Sequence, residues 1–81
     1  MKINVIKKLA ENESVENLQK AEEEIYNEQE PTSVQVEGED LGEKLTHIIG
    51  AMWVIDEVKT NDTDIKQAVR AYAQKVRKSI T

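Results

Sequence analysis

Cysteine is absent from this chain, and that absence removes two ways of stabilising a small protein. No disulfide can form. The single histidine, His47, cannot complete a structural zinc site, which needs four Cys or His ligands. Long apolar runs are also missing, and nothing approaches the roughly 20 residues of a membrane span. The first ten residues, MKINVIKKLA, lack the apolar stretch and small-residue cleavage site of a secretory signal. A chain free of cysteine suits a reducing compartment, so the expected location is the cytoplasm. Internal repeats and low-complexity tracts are absent. The glycines of VEGEDLG do not form a phosphate loop, because acids flank them and no Lys-Ser or Lys-Thr pair follows.

With 81 residues there is room for one domain, 1–81. A chain of this size buries only about 60–65% of its unfolded surface. Helix packing must therefore supply the stability, within one chain or across a dimer.

Charge is unevenly placed on a chain of net −5. Residues 1–43 hold 12 acidic and 4 basic side chains, and residues 44–81 hold 4 and 7. The acidic half repels phosphate, which argues against a nucleic-acid footprint over the whole surface. The two halves can attract each other, in one chain or between two.

Hydrophobic spacing lays out the elements. Val5, Ile6 and Leu9 suit one face of a short helix over 3–10, with a strand left open by the β-branched residues. Ser14 reads as an N-cap for a helix over 15–28, apolar at Val15, Leu18, Ala21 and Ile25. Its other face, Glu22–Glu24 and Glu28, is expected to be solvated. Pro31 closes the segment. Val34 and Val36 alternate with polar residues, as in an ordered linker or a short strand at 32–37.

Asp40 and Glu43 form a capping-box-like pair that opens a long helix over 41–59. Every residue from Ile48 to Ile55 is apolar or glycine, and a helix apolar nearly all round is normally buried. Gly50 inside it costs about 1 kcal/mol relative to alanine, which the close approach of another backbone would explain. A turn at 60–63, capped by Asp62 or Thr63, leads to a last helix over 64–79. There Ile65, Val69, Tyr72, Val76 and Ile80 repeat at helical spacing. The short turn makes these two helices an antiparallel hairpin.

Chemistry-bearing candidates are few. Glu43 and His47 stand four apart on one helix face, a spacing able to hold a metal. One histidine still falls short of the paired Glu-x-x-His motifs of carboxylate-bridged bundles, so the expected metal and cofactor content is none. A surface or boundary position with a local hydrogen bond is the plain reading of His47. Lys66, Arg70, Arg77 and Lys78 give the last helix a basic face, through which Arg70 and Arg77 could touch nucleic acid. The charge is modest and aromatic platforms are lacking. Ile48, Ile49, Met52, Trp53 and Ile55 are the candidate contact surface, since tryptophan is enriched at interface centres.

The run MKINVIKKLAENES, followed by a glutamate-rich helix and VEGEDLGEKLTHIIGAMWVIDE, resembles a family of short bacterial proteins of unknown function, about 80 residues long. The resemblance implies a stand-alone bacterial cytosolic protein and assigns no role to any residue.

The expected fold is all-α: a small bundle built on the C-terminal antiparallel hairpin, with one or two N-terminal helices packed against it. The alternative is α+β, with the strand at 32–37. The expected function is a non-enzymatic protein-interaction or adaptor module, homodimeric, with no membrane partner. The alternatives are metal binding through Glu43 and His47, or weak nucleic-acid contact through the last helix.

Overall fold

A computed structural model describes residues 1–80, with the side chains of Ser79 and Ile80 outside the description. Four helices follow in order: α1 (Ile3–Asn12), α2 (Val15–Tyr26), α3 (Leu41–Thr60) and α4 (Ile65–Ile80). Among the described residues there is no strand, so 32–37 is not one. The all-α expectation holds and the α+β alternative falls.

The 31–40 segment is an ordered linker instead. It turns Val34 and Val36 into the core, at 3% and 8% exposure, and leaves Gln35 in solvent. The alternation is that of a strand, yet no neighbouring backbone pairs with it. Burial of these two valines anchors the middle of the linker.

Helix ends follow local chemistry. The Ser14 hydroxyl accepts from the Asn17 amide at 3.2 Å, and the Asp40 carboxylate accepts from the Glu43 amide at 2.8 Å. The last helix is capped differently from expectation. Asp64, not Asp62 or Thr63, accepts from the Gln67 amide at 2.8 Å. Asp62 instead ends α3, in the left-handed region at φ 49°.

α2 stops at Tyr26, short of the expected Glu28, and Pro31 is not the cause. Glu28 adopts φ 60°, its amide donates to the Ile25 carbonyl, and the Gln29 amide reaches back to the Glu24 carbonyl. This pair of bonds is a Schellman closure built without glycine. The Thr63 amide makes the equivalent bond to Val58 at the end of α3.

α3 is the hub. It packs against α1, α2 and α4; α4 also packs on α1, while among the described residues α2 touches no helix but α3. Ile6, Leu18, Ile48, Ala51, Val54 and Ala68 are fully buried where these elements meet. Gly50 marks the tightest point. A Cβ there would lie 2.8 Å from Ile6 Cδ1 and 3.1 Å from Tyr72 Cε2. The close approach is thus by side chains of α1 and α4, not by another backbone.

Candidate functional site

His47 occupies a place that the sequence reading assigned to a surface or boundary. It is fully buried, on the same face of α3 as Ala51 and Val54. Its Nε2 accepts from the Lys2 backbone N–H at 3.0 Å, and its Nδ1 lies 2.8 Å from the Glu37 carbonyl oxygen. A carbonyl only accepts, so Nδ1 carries the proton and Nε2 is the acceptor: a neutral imidazole of fixed tautomer. Lys2 is the N-cap of α1 and has no side-chain cap bond. His47 therefore meets the N-cap amide from a different helix, the job of the third-position Glu in a capping box. One ring ties the start of α1 and the end of the linker to α3.

With both nitrogens engaged by backbone, His47 offers no lone pair to a cation in this conformation. Glu43 lies one turn away, half-buried, with no further ligand beside it. Among the described residues no group of three His, Cys, Asp or Glu side chains could hold a metal.

Glu24 is the second residue whose role differs from expectation. Glu22–Glu24 do face solvent, none of them buried, and Glu24 in addition bonds to the linker. The Glu24 carboxylate accepts from the Thr32 hydroxyl at 2.6 Å and from the Thr32 and Ser33 amides at 3.1 Å. These bonds, the Thr32 hydroxyl foremost, hold its pKa down at about 2, from an ordinary 4.5. The bonds staple the linker entrance to α2. An exposed Lys44–Glu30 ion pair crosses from linker to α3 nearby, and such pairs contribute little on their own.

The five candidate contact residues separate. Ile48 is fully buried and unavailable to any partner. Ile55 is part-buried and lines a small recess with Ala10, Val58, Lys59 and Ile65. Ile49, Met52 and Trp53 do share a surface, and Leu45 extends it by one turn. Ile49 is 42% exposed at the centre of that stripe. Leu45, Met52 and Trp53 are half-buried along its edges, and exposed Asp56 closes its C-terminal end. Trp53 packs on Tyr72 of α4, with ring centroids 5.4 Å apart and planes tilted by 46°. Sequence reasoning missed Leu45 as part of this surface, although 45, 49, 52 and 56 carry the 4-3-4 spacing of one helix face. Lys66, Arg70 and Arg77 are exposed on α4.

No described helix is long and apolar enough to cross a membrane. The class defined by these features is a small all-α bundle that leaves one apolar stripe of its central helix uncovered. The chain belongs to a family of unknown function (DUF6952), whose model matches residues 1–81. Among curated proteins and among solved structures nothing matches the chain.

Proposed function

We propose that this chain is a non-enzymatic protein-interaction module, and that the stripe Leu45, Ile49, Met52 and Trp53 is its contact surface. The carrying observation is Ile49. It is 42% exposed in the middle of the most apolar helix of the chain. Single exposed apolar residues are ordinary. A run of four on one face, containing the chain's one tryptophan and one of its two methionines, is a better fit to a docking surface. The chain's one histidine is committed at both nitrogens to backbone groups, which supports a non-catalytic role.

A photo-reactive benzoylphenylalanine placed at Ile49 in the native cells tests this reading. Adducts from position 49, and none from a control at exposed Glu16 on α2, are the expected result. No adduct from position 49 at native expression overturns it.

A further inference from the structure

We propose that the outer face of the α1–α4 pair is a second docking surface, and that it takes a short acidic segment of a protein partner. This face is separate from the stripe on α3, and the two readings stand or fall independently.

Charge is sorted by helix. α1 and α4 together hold seven basic residues and one acidic, while the rest of the chain holds four basic and fifteen acidic. The two helices pack on each other. A Cβ at Gly50 would meet both Ile6 of α1 and Tyr72 of α4, and Ala10 of α1 shares a recess with Ile65 of α4. Rising positions of α1 thus meet falling positions of α4. The helices are antiparallel, and Lys7 stands level with Arg70.

Helical spacing places the cations. On α1, Val5, Lys8 and Leu9 border the linker at Gln35 and Glu37. Lys7 belongs to the other flank, four residues from Ile3 and three from Ala10. On α4, Lys66, Arg70 and Arg77 follow at spacings of four and seven, so they share one line. α4 meets α3 beside Trp53 and Gly50, and α1 meets it beside Gly50 and His47. Right-handed winding then sets that line on the α1 side of Tyr72, and Lys75 and Lys78 on the other.

Lys7, Lys66, Arg70 and Arg77 are all exposed. Among the described residues none of the four has an ion pair or a side-chain hydrogen bond. Half-buried Ile3 and Ala73 lie between the two rows. Cations at the rim and apolar side chains between them match an amphipathic segment that carries carboxylates. The line from Lys66 to Arg77 is about 17 Å long, three turns of a helix.

Nucleic acid fits this face less well. The molecule measures 32 × 28 × 17 Å, and the Debye length at physiological salt is about 8 Å. A polyanion longer than the basic face therefore runs on over the acidic remainder. Aromatic platforms for single strands are also missing, since Tyr72 is buried and Trp53 lies on the far flank of α4. A short acidic segment ends before that repulsion begins.

The test is an amide chemical-shift titration by NMR of the full chain. The probe is a synthetic peptide of about eleven residues in which pairs of glutamates alternate with pairs of leucines. Shifts should concentrate at Ile3, Lys7, Arg70 and Ala73. Arg70→Glu should weaken binding roughly tenfold, and Lys7→Glu should repeat the loss from the other helix. Lys20→Glu makes the same change in net charge at an exposed site on α2, and it should leave binding within about twofold. Unchanged circular dichroism verifies that the variants fold. No shifts at about 1 mM peptide, or equal losses in Arg70→Glu and Lys20→Glu, overturn the docking surface. A thymidine oligonucleotide that shifts the same amides and binds more tightly than the peptide overturns the acidic protein segment as its occupant.

Discussion

Replacing His47 by leucine removes two bonds and little volume. The Lys2 amide loses its acceptor at 3.0 Å and the Glu37 carbonyl loses its donor at 2.8 Å. A backbone group stranded in this way costs about 1–3 kcal/mol. Lys2 and Glu37 are themselves exposed residues, so water reaches both groups in part and the lower end applies. The expected loss is about 2–3 kcal/mol in urea or thermal unfolding. At about 4–8 °C per kcal/mol for a domain of this size, the melting temperature should fall by roughly 10–20 °C. Hydrogen exchange adds a local readout, with protection lost first at 34–38 and in the first turn of α1. A loss below about 0.5 kcal/mol, with exchange unchanged in both segments, refutes the reasoning that this imidazole joins three elements.

Gly50→Ala should destabilise by about 1 kcal/mol in urea unfolding. Helix propensity favours alanine by about 1 kcal/mol. The new methyl meets fully buried Ile6 and the Tyr72 ring, and overpacking of that kind costs about 1–3 kcal/mol. Glu28→Gly should stabilise by about 0.5 kcal/mol in the same assay, because glycine accepts φ 60° without strain. Glu24→Gln tests the linker staple through pH. The folded pKa of Glu24 lies below its ordinary value, so its contribution is full above pH 4.5 and is lost as pH falls toward 2. The stability difference between wild type and Glu24→Gln should shrink across that window, and a constant difference would contradict the staple. Ile49→Asp should leave stability in urea unfolding within about 1 kcal/mol of wild type, as for other exposed positions.

Much of the architecture was legible because helix signals are local. The caps at Ser14 and Asp40, the 3.6-residue spacing of Val69, Tyr72 and Val76, and the short turn after α3 each fix geometry within a few residues. The misreadings arise where a distant group decides. Glu28 and Asp62 take left-handed conformations that sequence reading assigns first to glycine, and the tertiary fold overrides that preference. Val34 and Val36 alternate like a strand, and only the missing partner backbone makes them a linker. His47 carried one signal, its shared face with Ala51 and Val54. Its partners lie 45 and 10 residues away, beyond the reach of spacing. The apolar run 48–55 was legible as buried, but not which side stays open. That depends on three helices covering α3 and leaving Ile49 bare.

Trp53 is the chain's one tryptophan and it borders the stripe, so its fluorescence reports directly on whether a partner covers that face. Acrylamide quenching of protein carrying 5-hydroxytryptophan at this position, measured as lysate of the native cells is added, is the most direct test. The account predicts that quenching weakens as lysate is added, and that Ile49→Asp holds it at the buffer value throughout. Quenching that stays constant over the whole series in the wild-type protein would contradict it.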